Sequence, residues 1–96
     1  MGNVRLSVGA IRDLDEIIKF IVIQNPSAAQ RLRLRFDQTI RLLADNPLIG
    51  HQFNSCKGIA YRVFTVESYV IYYAPRRYGI FVARIVHGAR NRDSLL

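Results

Sequence analysis

The chain has 96 residues and a formal net charge of +7, from 14 basic and 7 acidic side chains. Half of its residues are apolar, which excludes a disordered chain, and this length predicts one domain over residues 1–96 with a thin core. One cysteine excludes an internal disulfide, and two histidines argue against a zinc site, so we expect no metal and no cofactor.

The basic residues are strongly biased toward arginine. Twelve of the 14 are arginine, whose planar fork suits bidentate contact with phosphates or carboxylates. The charge therefore predicts an acidic partner, either nucleic acid or an acidic protein. No signal-peptide pattern is visible, and the apolar runs are too short to span a membrane, so we expect a cytoplasmic protein with no membrane partner.

The first half of the chain is predicted to form a short strand and two helices. Residues 3–7 alternate polar and apolar, as a strand does, and Ser7 can cap a helix that runs to about residue 24. Asn25-Pro26 ends that helix and begins a second one, which ends before Pro47. The apolar stripe of the second helix is Ala29, Leu32, Phe36, Ile40 and Leu43. A tight connection predicts an antiparallel helical hairpin.

The second half is predicted to be a loop followed by strands. Residues 47–58 are rich in turn-forming residues and indicate a loop. Three runs rich in Tyr, Val, Ile and Phe follow, at 59–66, 69–74 and 80–87. Turns are expected at Glu67-Ser68 and between Pro75 and Gly79. The order predicts an α+β fold: a short N-terminal strand, then an antiparallel helical hairpin packed on a small antiparallel β-sheet with a C-terminal three-strand meander.

Hairpin geometry predicts which residues share a sheet face. The first turn sets Arg62 opposite Tyr73, and a second turn centred near Arg76-Arg77 sets Tyr73 opposite Ile80 and Tyr69 opposite Arg84. One face is therefore expected to carry Arg62, Tyr69, Tyr73 and Arg84. The other is expected to be the core under the helices, made of Tyr61, Val63, Val70, Tyr72, Phe81, Ala83, Ile85 and His87.

Arg62, Arg84 and His87 are the candidates for chemistry. An arginine inside an apolar strand is costly to bury unpaired, so each is expected to meet solvent, a carboxylate or a ligand phosphate. His87 can act as a general acid or base, or it can hydrogen-bond a backbone carbonyl and hold the tail. Paired carboxylates, a glycine-rich phosphate loop and a Ser-His-Asp set are absent. The enzyme class left open is metal-independent RNA cleavage, with arginines holding the phosphate.

Six short motifs carry a family resemblance through their order and spacing. They are Ala10-Ile-Arg-Asp-Leu-Asp-Glu-Ile, Asn25-Pro26, Asn46-Pro47-Leu48-Ile49-Gly50, Tyr61-Arg62-Val63, Tyr69-Val-Ile-Tyr-Tyr73 and Arg84-Ile85-Val86-His87-Gly88-Ala89-Arg90. With them, residues 4–96 resemble the ParE/RelE superfamily of bacterial type II toxin–antitoxin systems. The resemblance implies a helical hairpin on an antiparallel sheet, a toxin that arrests growth or stabilises plasmids, and a cognate antitoxin whose C-terminal segment neutralises it. Operator DNA would be contacted only through the antitoxin.

The resemblance favours the ParE branch, whose members inhibit DNA gyrase without an assigned catalytic residue. The Asn-Pro and Ile-Gly loop and the His-Gly-x-Arg ending match that branch, and Lys57 is the only lysine after Lys19, unlike a lysine-rich RelE loop. In this interpretation the protein is not an enzyme. The candidates for target contact are Tyr73, Arg90 and Arg92.

Two alternatives stay open. A RelE-like toxin would be a metal-independent endoribonuclease that cuts mRNA on the ribosome, with Arg62 as positioner, Arg84 as phosphate clamp and His87 as general acid. A toxin fold that has lost its toxicity would serve mainly in an operon-repressing complex, and Asn91, where many relatives carry Asp, is consistent with that.

Overall fold

Two helices pack on one face of a five-stranded sheet in the computed structural model, which describes residues 2–88. The elements are β1 (Asn3–Leu6), α1 (Val8–Gln24), α2 (Pro26–Asp45), β2 (His51–Asn54), β3 (Ala60–Val66), β4 (Tyr69–Arg76) and β5 (Gly79–His87). The strand order is β1-β5-β4-β3-β2, with β1 parallel to β5 and the other pairs antiparallel. The predicted α+β class, the helical hairpin and the C-terminal meander are confirmed. Neither of these helices is both long enough and apolar enough to cross a membrane.

The helical hairpin is set by two capping residues, as the sequence predicts. The Ser7 hydroxyl accepts a hydrogen bond from the Ala10 N–H at 2.9 Å and donates to the Ala83 carbonyl at 2.6 Å, so the cap of α1 also joins it to β5. The Asn25 N–H donates to the Ile21 carbonyl, while its side chain accepts from the Ala28 N–H at 3.1 Å. One residue therefore ends α1 and caps α2, with proline at the first position of α2.

The predicted stripe of α2 forms the centre of the core. All five of its residues are buried, and Phe36 and Leu43 have no exposed surface. Leu32, Phe36, Ile40 and Leu43 share one cluster with sheet residues that include Ile71, Tyr73 and Ile80, and half-buried residues of α1 pack against it. Burial of this stripe fixes the rotation of α2 and leaves its arginines outside. These are Arg31, Arg33, Arg35 and Arg41, all exposed.

The sheet face under the helices is the opposite of the one predicted for β3, β4 and the first part of β5, whereas Ile85 lies in the helix-side core as predicted. Tyr73 lies in the helix-side core, whereas Tyr72 and Val70 lie on the second face. Around them on that second face are Phe53, Tyr61, Val63, Phe81, Ala83 and Val86. The prediction was wrong because it took Arg62 and Arg84 as markers of a solvated face. Both arginines instead lie on the helix side, where polar groups beside the helices bind them.

The register of the second hairpin also differs from the prediction. Arg62 pairs with Tyr73, as predicted, but Tyr73 pairs with Val82 rather than Ile80. The turn is centred at Arg77-Tyr78, one residue later than expected, with Arg76 opposite Gly79, and a β-bulge between Tyr72 and Tyr73 shifts the remaining pairs. Tyr69 therefore lies opposite His87 rather than Arg84.

Strand β2 lies inside the segment that the sequence predicts as loop. It pairs with β3, with Gln52 opposite Arg62 and Asn54 opposite Ala60. Asparagine and glutamine have low strand propensity, so only the partner strand reveals β2. β1 likewise finds its neighbour far along the chain, in parallel register from Asn3 opposite Gly79.

Candidate functional site

Arg84 is held by a carboxylate of α1. Its Nε and Nη2 groups donate to the two carboxylate oxygens of Asp13 at 2.6 and 2.8 Å, and the Ile85 N–H donates to the same carboxylate at 3.0 Å. The hydrogen bond to Asp13 raises the pKa of Arg84 above its ordinary value, against the opposing effect of burial. The charge of Arg84 is therefore matched within the fold. This ion pair joins the first turns of α1 to β5.

Arg62 is held differently, by two neutral carbonyl groups. Its Nη1 group donates to the Leu48 carbonyl at 3.1 Å and to the Gly50 carbonyl at 2.6 Å. Among residues 2–88 no carboxylate forms an ion pair with it. Carbonyl groups fix the direction of the guanidinium but leave its positive charge unneutralised.

Tyr73 holds the same loop from beneath. Its side chain has no exposed surface, and its hydroxyl donates to the Pro47 carbonyl at 2.8 Å and accepts from the Gly50 N–H at 2.9 Å. Burial raises the pKa of Tyr73, while the Gly50 N–H and the charge of Arg62 act in the opposite direction. A Cβ on Gly50 would lie 2.5 Å from that hydroxyl, so only glycine fits the close approach. Tyr73, predicted to contact a target, is thus enclosed by the fold and has no exposed surface to offer a target.

The loop over Tyr73 presents apolar side chains beside a pocket. Leu48 and Ile49 are 69% and 47% exposed. Leu48 also lines a pocket of about 330 Å³, which we call the Arg62 pocket. Its lining residues are Leu48, Gln52, Asn54, Ala60, Tyr61, Arg62 and Pro75. The pocket combines one guanidinium, two amides and apolar walls, which is a composition suited to binding and orienting an anionic group.

His87 lies apart from both arginine contacts, at the exposed end of β5. Its ring packs edge-on against Tyr69, with centroids 5.3 Å apart, and it lines a groove of about 410 Å³ beside α1. The α1 side of this groove carries Asp13, Glu16 and Phe20. Since Arg84 already pairs with Asp13, the groove has one further carboxylate, that of Glu16, beside apolar side chains.

The structure does not gather Arg62, Arg84 and His87 into one site. Arg62 points to the loop after α2, Arg84 to the start of α1, and His87 lies three residues beyond Arg84, about 10 Å further along the strand. Arg84 is paired with a carboxylate, whereas Arg62 is held through Nη1 alone. The two other candidates for target contact, Arg90 and Arg92, lie outside the described residues.

The outer surface of α1 is unusually apolar for a helix on the outside of a domain. Ala10 is its only fully buried residue, whereas Phe20 is 65% and Ile23 is 83% exposed. Further exposed apolar residues of the helix are Val8, Ile11 and Val22. Exposed apolar surface of this kind is typical of a region that a protein partner covers.

Comparison with known families decides the identity. A family model described as the ParE toxin of the type II toxin–antitoxin system, parDE, matches residues 4–92. This chain belongs to the ParE toxin family. The resemblance inferred from the six motifs is confirmed, and membership in a type II toxin–antitoxin system implies an antitoxin partner for this ParE toxin. No curated protein sequence matches the chain.

The residues that fix the two arginines of this ParE toxin were not predicted from the sequence. Asp13 belongs to the first-helix motif, but the sequence predicted only that Arg84 meets solvent, a carboxylate or a phosphate, without naming Asp13. The available signal was the position of Asp13, close to the buried stripe of α1 rather than on its outer face. The local sequence does not indicate that Gln52 lies opposite Arg62 or that Gly50 approaches Tyr73 closely, because both depend on strand pairing.

Proposed function

We propose that this ParE-family toxin inhibits DNA gyrase and that its cognate antitoxin neutralises it by direct binding. The observation that carries the choice of gyrase is the separation of Arg62, Arg84 and His87. An RNA-cleaving site needs an arginine that holds the phosphate next to a general acid, but here Arg84 is paired with Asp13, and Arg62 is directed to the loop after α2, away from His87. A toxin that acts by binding needs no such convergence.

Neutralisation by an antitoxin is supported by the surface of the chain. The exposed apolar side chains of α1 offer an area for a partner to cover, and the net charge of +7 favours an acidic one. A partly disordered acidic antitoxin can wrap such a surface with a short segment, because folding on binding gives a large contact area. With gyrase as its target, the toxin acts in the cytoplasm.

The test is a supercoiling assay with purified gyrase, relaxed plasmid and the purified chain in micromolar excess. We expect supercoiling to be inhibited, and the inhibition to be relieved by the antitoxin. Chain that is folded by circular dichroism yet leaves supercoiling unchanged would contradict the proposal. A ribosome-containing extract, in which mRNA is examined for cleavage, then decides between the ribonuclease alternative and a toxin that has lost its activity.

Arg90 and Arg92 are our proposed contacts with the target. Replacing both with alanine is expected to abolish inhibition of gyrase and to leave antitoxin binding intact. The matched control is the double replacement of Arg31 and Arg33, two exposed arginines of α2, which removes the same charge elsewhere. Wild-type inhibition by the Arg90/Arg92 variant would reject this assignment.

A further inference from the structure

The Arg62 pocket contains a positive charge that is oriented by carbonyl groups and that no carboxylate of residues 2–88 neutralises. Arginine carries five N–H donors, and the two on Nη1 are used by the carbonyl groups of Leu48 and Gly50. The remaining three donors, on Nε and Nη2, have no acceptor among residues 2–88. A guanidinium fixed on one side and open on the other is already arranged to receive an anionic group.

The rest of the pocket fits a carboxylate on an otherwise apolar chain. Of its lining residues none is acidic, and Arg62 is the only cation. The amide side chains of Gln52 and Asn54 can hydrogen-bond the same ligand, while Leu48 and Pro75 supply apolar wall. Leu48 and Ile49 extend this apolar surface outward.

Next to the pocket, β2 presents an open sheet edge. It is the last strand in the order, so its outer side has no neighbouring strand among the described residues. The hydrogen bond from the Ser55 N–H to the Ile59 carbonyl marks a bonded pair. Bonded pairs alternate along an antiparallel ladder, so His51 and Phe53 direct their backbone groups to β3. Gln52 directs its N–H and C=O outward, to the free edge.

We propose that the free edge of β2 binds an extended peptide segment of a partner, and that an acidic side chain of that segment binds Arg62. A peptide strand added to the edge would lie about 4.8 Å from β2 and about 10 Å from β3. A glutamate on its pocket side can span that gap together with the long side chain of Arg62. Apolar residues that alternate with such glutamates would lie on the other face of the sheet, beside Phe53.

A peptide fits this surface better than a nucleic acid does. Binding of a phosphate backbone depends on several cations placed along its path, but a single guanidinium lines the Arg62 pocket. The outward N–H and C=O of Gln52 can pair with the backbone of another strand, whereas a nucleotide has no equivalent backbone groups. On this surface, main-chain hydrogen bonds to β2 would supply affinity, and the contact with Arg62 would fix the register of the peptide.

The inference rests on that part of the proposed function which supplies an acidic protein partner, and not on gyrase as the target. Its test therefore uses the chain and synthetic peptides alone. If gyrase is not inhibited, the peptide result still stands. If the peptide does not bind, the gyrase assay is unaffected.

The experiment is an NMR titration of the ¹⁵N-labelled chain. The probe is a capped octapeptide of alternating leucine and glutamate, and its control has glutamine at every glutamate. We expect the glutamate peptide to shift the Arg62 Nε–H signal and the amide signals of β2 in a saturable way. The glutamine peptide is expected to bind about tenfold more weakly, because it lacks the charge-assisted hydrogen bonds.

The Gln52→Glu variant distinguishes binding at this site from general electrostatic attraction to a basic protein. Gln52 lies opposite Arg62 and is exposed, so the new carboxylate pairs with Arg62 and is expected to remove binding of the glutamate peptide without unfolding the chain. Gln38→Glu, on the exposed surface of α2, makes the same change in charge and is expected to leave binding unchanged.

Four results would overturn the proposal. They are equal binding of the two peptides, peptide shifts that persist in Gln52→Glu, no saturable shift with folded protein, and shifts that map away from β2. A short oligothymidylate is added in parallel. If it shifts the Arg62 signal at lower concentration than the glutamate peptide does, the ligand is a nucleic acid and the peptide assignment is wrong.

Discussion

Two arginines on the helix side of the same sheet have opposite relations to the fold. Arg84 meets the Asp13 carboxylate through two hydrogen bonds, and that carboxylate also accepts from the backbone of β5. Within residues 2–88, Arg62 meets only the carbonyl groups of a loop. In the first region the charge is used to join a helix to the sheet, whereas in the second it stays available to a ligand. The two arginines are the same residue type inside strands of one sheet. What distinguishes them is the group that the fold places against each guanidinium, a carboxylate for Arg84 and carbonyl groups for Arg62.

Replacing each arginine with glutamine is the most direct test of this comparison. Arg84→Gln leaves Asp13 charged and only 12% exposed, so we expect a loss of about 2–3 kcal/mol in the free energy of unfolding. Arg62→Gln removes two hydrogen bonds to carbonyl groups and leaves no charge buried, so its cost is expected to be about 1 kcal/mol or less. Urea denaturation measures both.

Arg77→Gln, in the exposed turn between β4 and β5, is the matched control for the loss of one positive charge. It is expected to leave the free energy of unfolding nearly unchanged. An equal cost for Arg84→Gln and Arg62→Gln would show that the carboxylate does not distinguish the two regions.

Tyr73→Phe sharpens the comparison within the Arg62 region. The substitution leaves the Gly50 N–H and the Pro47 carbonyl without their partner but keeps the buried ring, so we expect a loss of about 1–2 kcal/mol in the free energy of unfolding. Tyr78→Phe, at a half-buried ring beside the second hairpin, is the control and is expected to cost less. Equal losses in the two variants would remove the Tyr73 hydroxyl as the anchor of the loop.

A smaller effect is expected from pH. Burial raises the pKa of Tyr73 above its ordinary value of 10.0, so the unfolded chain gives up this proton at lower pH than the folded chain does. The stability that the hydroxyl contributes is present below pH 10 and is lost as pH rises through the raised pKa. The difference in unfolding free energy between the native chain and Tyr73→Phe should therefore shrink above pH 10. A difference that stays constant to pH 11.5 or so contradicts this assignment.

The helical half of the fold was predictable because its signals are local. Ser7 and Asn25 cap helices through groups three residues away, and the stripe of α2 repeats with the period of the helix. The sheet was predicted less well, since strand residues alternate in the same way whichever face is covered. The bulge beside Tyr73 adds a residue that no turn motif indicates.

The sequence by itself determined the helical hairpin, the strand-rich second half, the basic charge and the motifs of a ParE toxin. Only the tertiary structure decided which carboxylate neutralises Arg84, since Asp13 lies 71 residues away from it in the chain. It also decided that Gln52, in the edge strand β2, lies opposite Arg62 in β3, and that Tyr73 is enclosed. The physical reason is the distance along the chain over which each interaction acts. Caps and periodicity act within a few residues, whereas the partner of a charge is set by packing between distant segments.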